Sequence, residues 1–429
     1  MKKKYRIILY TSIFLLCVVA SIILVVKKSN SVYEEESKPK VVKHKSMLSM
    51  NLEQTAGAGD YKTVTQSKWP TEGYKFNAEL SRCENGSTLS WDDTKKAVIV
   101  SGNLSDKCYV YFDIYQPTLA EYIKSQYTGT QGENNIYYHD SDLANGAGDN
   151  SYRYAGANPN NFVCFGTTES PCPTDNLYRI IGVFGENYHG VTGKQLVKLI
   201  KYDYMTTDEL GTDGDYSQTY KEWGMDSTYK GTYGDGERIG VYYWNYKATG
   251  SATNTWSTSL LNKTNLNTNF INNIGTTWAN KIATVTWKVG GNTWANIGTK
   301  TSSVAYTNEI TNPVTTNTTD NATTYSAKIG LMYVSDYGFA ASPDAWTLTM
   351  SSYNNTTATN NNWMYMGLYE WTISRYADSS YCAFSVHDGG RVDYGNVIVN
   401  RGVRASFNLE SSVSYVSGSG SMSDPIVIN

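Results

Sequence analysis

The longest apolar stretch of the chain lies close to its N-terminus. Residues 7–26 form a run of twenty residues without a charged side chain, about the length that spans the ~30 Å hydrocarbon core of a bilayer as a helix. Four cationic residues precede the run and two follow it, and cationic flanks favour the cytoplasmic side. The pattern predicts a cytoplasmic stub and transmembrane anchor over residues 1–30. A long signal peptide cut near Ala20 is the alternative.

The next two segments differ in their hydrophobic pattern. Residues 31–70 carry charge runs and no periodic apolar face, which predicts a flexible tether. Within residues 71–115, the stretches 97–100 and 109–112 are rich in β-forming residues, and turn-forming residues follow the first of them. We therefore expect a small β module that has too few residues for much of a core.

Residues 116–159 predict one short helix followed by a linker. Pro117 stops a helix from extending backwards, while Thr118 and Glu121 have the spacing of a capping box. The helix is expected to end near Tyr127. Isolated aromatic residues without a period follow it, as is typical of loops.

Residues 160–429 have the pattern of one large domain. Two β-forming runs, 177–184 and 195–202, enclose a glycine-containing turn and predict a hairpin. A second hairpin is predicted where residues 383–386 and 391–394 flank an Asp-Gly-Gly turn. Antiparallel hairpins with one or two helices between them define an α+β domain, and α+β is the predicted fold class.

The composition favours a polar surface with few charges. Outside the first thirty residues, 30 basic and 39 acidic residues give a formal charge of about −9. This charge does not indicate the positive surface that binds nucleic acid. Charged residues make up 17% of the chain, and 36 tyrosines contribute to its polarity. Tyrosine supplies contact area at low entropic cost, so a binding surface is one interpretation. Exposed sheets, which favour the same residues, are the other.

The cysteines predict two disulfides in an oxidising exterior. Cys83 and Cys108 flank a strand–turn–strand stretch and would staple the β module, and Cys164 and Cys172 close a short loop. Cys382 is left without a partner, and burial is the common fate of such a thiol.

Motifs for catalysis or metal binding are scarce. The four histidines lack metal-ligand spacing, and residues 203–213 lack the order of an EF-hand loop. Neither a phosphate-binding loop nor a Gly-x-Ser-x-Gly elbow occurs. Acidic residues are frequent, but the sequence does not locate a glycosidase-like pair. We expect no metal and no cofactor, and we leave open whether the protein is an enzyme.

Five phrases in the C-terminal part resemble known proteins. They cover residues 163–184, 259–270, 328–343, 369–375 and 400–409. Together they resemble a family of secreted or membrane-anchored proteins of gut Firmicutes and their relatives, whose C-terminal domain is uncharacterised. The ending YEWTISR…GG…GVR is also similar to the formylglycine-generating-enzyme branch of C-type-lectin-like folds. The paired copper-handling cysteines of those enzymes are not matched, since only Cys382 lies nearby.

The lectin-like resemblance implies a C-type-lectin-like domain over residues 160–429, with a framework and a binding face. The implied framework residues are Trp371, Arg375, Gly402 and Arg404, whose arginines would bridge loops to carbonyls or carboxylates. Residues 376–399 would form the exposed face, with rings, donors and acceptors that suit a glycan or a protein epitope. The predicted ligand contacts are Tyr376, Tyr381, His387, Asp388, Arg391, Asp393, Tyr394 and Asn396. A solvated hairpin without a ligand is the alternative.

Three functions are compatible with this sequence. The first is a cell-surface recognition or adhesion protein that binds an extracellular glycan or protein ligand. The second is a structural or envelope-assembly component, and the third is an extracellular carbohydrate-active enzyme. In each case we expect a single-pass membrane protein with extracellular C-terminal domains and no nucleic-acid partner.

Overall fold

The computed structural model describes most of the chain from residue 48 onwards. The described residues are 48–65, 68–70, 73–103, 105–223, 228–246, 252–313, 322–353 and 359–429. The chain divides into two compact units, Met1–Tyr115 and Gln116–Asn429.

The described part of the first unit is a β module. Its strands are β1 Leu48–Glu53, β2 Tyr61–Val64, β3 Tyr74–Cys83, β4 Thr88–Asp92, β5 Ala97–Ser101 and β6 Cys108–Ile114. One sheet has the order β2-β1-β6-β3, with β1 parallel to β6, while β4 and β5 form a separate hairpin. Met50, Leu52, Val110 and Phe112 form a small buried cluster. Strands β1 and β2 lie within the segment that was predicted as a flexible tether. Residues 48–64 are folded because β1 contributes Met50 and Leu52 to this cluster.

The second unit is built on two main sheets. Its strands are β7 Ile136–His139, β8 Ser151–Tyr154, β9 Phe162–Cys164, β10 Leu177–Phe184, β11 Leu196–Lys201, β12 Tyr216–Thr219, β13 Gly240–Tyr242, β14 Val285–Lys288, β15 Gly291–Asn292, β16 Thr324–Ala327, β17 Ile329–Gly330, β18 Glu370–Tyr376, β19 Cys382–Val386, β20 Val392–Asn396, β21 Ser406–Asn408, β22 Tyr415–Ser417 and β23 Val427–Ile428. The larger sheet has the order β17-β21-β11-β10-β8-β7, with β9 also paired to β10. The second has the order β15-β18-β19-β20, and β15 runs parallel to β18. Strands β7 and β8 lie in the segment predicted as a linker.

Short helices connect these strands. The α-helices of the described residues are Leu119–Ser125, Glu186–His189, Thr207–Leu210, Ile271–Ala279, Ser302–Tyr306 and Val334–Ala340. Leu261–Phe270 and Thr307–Thr311 are π-helical. Single turns of 3₁₀ helix lie at Glu133–Asn135, Thr174–Asn176, Tyr220–Trp223, Trp256–Thr258, Trp294–Asn296, Pro343–Thr347 and Met350–Ser352. The predicted capping box is present, since Thr118 and Glu121 cap each other's backbone at the first α-helix.

The predicted fold class is wrong. The described residues form mainly β-sheets with few helices, rather than the predicted α+β architecture with a C-type-lectin-like domain. Among them, no helix combines the length and apolar character needed to cross a bilayer. The predicted anchor over residues 1–30 lies outside the described residues. The Thr- and Tyr-rich composition explains the preference for strands, because such side chains suit a pleated surface.

Two buried carboxylates connect the helix Val334–Ala340 to both main sheets. Asp336 accepts a hydrogen bond from Lys198 of β11 at 2.7 Å. Glu309 accepts the backbone N–H groups of Val334 at 3.0 Å and Ser335 at 2.8 Å, and also the hydroxyl of Ser374 in β18. The second sheet, which carries the predicted binding face, is therefore held on a hydrogen-bonded core.

Candidate functional site

The hairpin β19–β20 carries most of the predicted ligand contacts. Its register pairs Ser385 with Asp393 and Phe384 with Tyr394. Successive side chains of a strand point to opposite faces of the sheet, so Asp393 and Tyr394 lie on opposite faces. The predicted contacts are therefore divided between two surfaces.

Four predicted contacts lie together at the turn end of this hairpin. Nε2 of His387 lies 2.6 Å from the hydroxyl oxygen of Tyr369, and its Nδ1 lies beside the carboxylate of Asp388. Nη2 of Arg391 donates to Oδ2 of Asp393 at 3.4 Å. The four side chains are between 18% and 34% exposed, so they are both supported by the protein and open to solvent.

Two further residues, which no sequence pattern singled out, complete this cluster. Tyr369 immediately precedes β18. Cζ of Arg401 lies 4.6 Å from the centre of the Tyr369 ring and 4.9 Å from the centre of the Trp371 ring. Gly395 leaves room for this guanidinium, because a Cβ there would lie 2.5 Å from Nη2 of Arg401. The only sequence signal for Arg401 was its place in the phrase 400–409. We call Tyr369, His387, Asp388, Arg391, Asp393 and Arg401 the polar patch.

Burial and local charge set the protonation of the polar patch. Burial lowers the pKa of His387, and Asp388 opposes this shift, so the imidazole is neutral at pH 7. Burial, followed by the charge of Asp388, raises the pKa of Tyr369, which keeps its phenol protonated. Burial lowers the pKa of Arg401 to about 10, and the guanidinium stays charged at neutral pH. The patch thus combines two guanidinium groups with two carboxylates, and neither sign of charge is in excess.

The opposite face of the hairpin carries aromatic rings. Tyr376 and Tyr394 stack with their ring centres 4.3 Å apart. Trp294 meets the ring of Tyr394 edge-on at 5.6 Å. Tyr394 is 40% exposed, so this face presents a partly open aromatic surface.

The remaining two predicted contacts lie at the far end of the hairpin. Asn396 pairs with Cys382 where the β19–β20 ladder ends, and its side chain accepts the N–H of Ile398 at 3.2 Å. Tyr381 precedes β19 and is 52% exposed. Neither residue joins the polar patch.

All four predicted framework residues are buried, but their environments differ. They are Trp371, Arg375, Gly402 and Arg404. Arg404 donates to Glu370 at 2.8 Å and to the carbonyl of Met364 at 2.6 Å. Gly402 allows close contact with Tyr204, since a Cβ there would lie 2.7 Å from that ring. Arg375 forms no such bridge among the described residues.

The cysteines support an exterior location. Both predicted disulfides, Cys83–Cys108 and Cys164–Cys172, are present. Cys382 is a buried free thiol, and burial raises its pKa, so it is a poor nucleophile at neutral pH. In the part of the chain that the structure describes, no three His, Cys, Asp or Glu side chains are grouped to hold a metal ion. Disulfides of this kind are typical of oxidising compartments.

Comparison with known proteins adds no relative. No protein-family model matches the chain, and no curated protein or solved structure matches it. The functional interpretation therefore depends on the geometry of the hairpin.

Proposed function

We propose that this protein is a cell-surface recognition protein whose polar patch binds a glycan. The observation that carries the proposal is a partly exposed, charge-balanced set of donors and acceptors beside the ring of Tyr369. Sugar hydroxyls both donate and accept hydrogen bonds, so adjacent guanidinium and carboxylate groups complement them. An aromatic ring offers a flat apolar surface against which the C–H face of a sugar packs.

The balance of charge favours a neutral glycan. Arg391 and Asp393 are about one third exposed and pair with each other, so a ligand meets a donor and an acceptor side by side. A strongly anionic ligand would also approach the carboxylates of Asp388 and Asp393, and like charges at an interface oppose binding. The two disulfides and the resemblance to surface proteins of gut Firmicutes support an exterior setting.

Binding of the full-length protein to a glycan array tests this proposal. We expect binding to a set of neutral glycans, and a loss of affinity of about tenfold or more in the double variant Arg391→Gln, Asp393→Asn, because hydrogen bonds to charged groups contribute ~1.5–3 kcal/mol. The double variant keeps the net charge unchanged. Tyr381→Ala, an exposed residue outside the patch, is the control and should bind as the wild type does. Equal binding by all three proteins would contradict the proposal, and hydrolysis of the array would indicate an enzyme instead.

A further inference from the structure

Lys198 and Asp336 form an ion pair that is closed off from solvent. Nζ of Lys198 in β11 lies 2.7 Å from Oδ2 of Asp336 in the helix Val334–Ala340, and both side chains are 0% exposed. Within the described part of the chain, this is the only lysine–carboxylate pair in which neither side chain reaches solvent. Lys201 and Glu209 form the next most buried pair, and the side chain of Glu209 is 13% exposed.

Aromatic rings surround the amino group of Lys198. Its Nζ lies 4.3 Å from the ring centre of Tyr333, 4.8 Å from that of Tyr188 and 4.9 Å from that of Trp287. Burial lowers the pKa of Lys198, and the charge of Asp336 opposes this shift. A lowered pKa favours the uncharged amine, which is the form of lysine that acts as a nucleophile.

The two carboxylate oxygens of Asp336 have different neighbours. Oδ2, which lies next to Nζ of Lys198, accepts the backbone N–H of Tyr333 at 2.9 Å. Oδ1 accepts the hydroxyl of Tyr188 at 2.6 Å, and this hydroxyl in turn accepts a hydrogen bond from Nζ at 2.6 Å. Nη1 of Arg153 lies 3.9 Å from Oδ1 and adds positive charge on that side. The hydroxyl of Tyr188 therefore connects the amino group to the second carboxylate oxygen.

We propose that Lys198 and Asp336 are a modification site at which the two side chains condense into an intramolecular amide cross-link. Nζ of Lys198 forms a bond to Cγ of Asp336, the bond from Cγ to Oδ1 breaks, and Oδ1 leaves as water with two protons given up by Nζ. The hydroxyl of Tyr188 passes a proton from Nζ to Oδ1. The N–H of Tyr333 stabilises the negative charge that develops on Oδ2. The step consumes no oxidant, reductant or other co-reactant.

The fold supplies what this condensation lacks in free solution. Well-oriented intramolecular reactants reach effective molarities on the order of 10⁵–10⁸ M, and the hydrogen bonds of Tyr188 and Tyr333 hold both groups in place. The amide is uncharged, so the reaction removes two buried charges whose desolvation is costly. The product would join β11 of the larger sheet covalently to the helix Val334–Ala340. This site is separate from the polar patch and does not depend on the proposed glycan.

Peptide mapping of the full-length protein tests the cross-link. The purified protein is denatured, its disulfides are reduced and alkylated, and trypsin then cleaves after lysine and arginine. An amide at Nζ removes the charge that trypsin recognises, so we expect loss of cleavage after Lys198 and a branched peptide that joins residues 195–201 to residues 329–375. Its mass should be lower than the sum of the two linear peptides by one water molecule. Cleavage after Lys201 should be complete and is the internal control.

The variant Lys198→Arg is the matched control, because arginine keeps the positive charge but its guanidinium stays protonated and forms no amide. It should give separate peptides 195–198 and 329–375. Trypsin acts on denatured protein, so this comparison does not require the variant to fold. Separate, unmodified peptides from the wild type would show that Lys198 and Asp336 remain an ion pair and would overturn the proposal. A branched peptide in Lys198→Arg would overturn it as well.

Discussion

Buried arginines in this protein differ in what neutralises their charge. Arg404 is paired with Glu370 inside the core, and both side chains are at most 2% exposed. Arg401 packs on the rings of Tyr369 and Trp371 at the edge of the polar patch. Arg375 has no protein partner among the described residues. The first arrangement supports the fold, whereas Arg401 brings a positive charge to the polar patch.

Arg404→Met should lower the free energy of unfolding by ~3–5 kcal/mol, because breaking a buried pair leaves one charge uncompensated. Burial raises the pKa of Glu370, while Arg404 opposes that shift, so the carboxylate depends on its partner. Denaturant unfolding measures the loss. Arg238→Met, which breaks an exposed pair with Asp175, is the control and should cost less than ~1 kcal/mol. Similar losses in both variants would contradict a framework role for Arg404.

His139 should make stability depend on pH. It is fully buried between Phe339 and Trp346, and burial, followed by the charge of Arg153, lowers its pKa well below 6.5. As the pH falls below about 6.5, the unfolded chain binds a proton that the folded chain excludes, so stability falls by up to ~1.4 kcal/mol per pH unit.

The variant His139→Gln isolates this effect, because it cannot titrate. Between pH 7 and pH 5, the wild type should lose about 1–2 kcal/mol more unfolding free energy than the variant. Denaturant unfolding at both pH values provides the comparison. Parallel losses in the two proteins would show that His139 is protonated equally in the folded and unfolded chains.

Strands and helices with local signals were the most predictable elements. The hairpins β10–β11 and β19–β20 lie where turn residues separate β-forming runs, and the helix Leu119–Ser125 begins at its predicted capping box. Pairing between distant segments was not predictable. Strand β6 follows β5 through a turn, yet β6 pairs with β1 and β3, because side chains 60 residues apart share one cluster.

The same reasoning explains what was missed in the candidate site. His387, Asp388, Arg391 and Asp393 were predicted because they are neighbours in one hairpin. Tyr369 and Arg401 come from other segments, and only the fold brings them to that hairpin.

The disulfide Cys83–Cys108 should stabilise the first unit more than Cys164–Cys172 stabilises its own segment. It closes a loop of 25 residues, against 8 for the second bridge, and longer loops lose more entropy in the unfolded chain. Replacing Cys83 and Cys108 by alanine should cost ~3 kcal/mol. Amide hydrogen exchange in β3 and β6 measures the effect, and the matched double variant of the second bridge is the control. Unchanged protection of β3 and β6 would contradict a stapling role.

Tyrosine and asparagine side chains are found in the interior of the described residues as well as on their surface. The sequence has 36 tyrosines, and twelve of those in the described part of the chain are buried, so a high tyrosine content does not by itself mark a binding surface here. Asparagines connect segments: Asn265 donates to the carbonyl of Leu210 at 2.8 Å and accepts the N–H of Asp215 at 3.0 Å. Asn267 bonds both the N–H and the carbonyl of Ile329. These bonds satisfy backbone groups that would otherwise be buried without partners.

The location of the bound glycan tests the central claim most directly. Hydrogen–deuterium exchange of the full-length protein, with and without a glycan selected on the array, reports which backbone segments the ligand covers. We expect increased protection within residues 386–401 and at Tyr369, which carry the polar patch. Protection confined to residues 48–115, or to segments of the second unit outside the patch, would contradict the assignment of this surface.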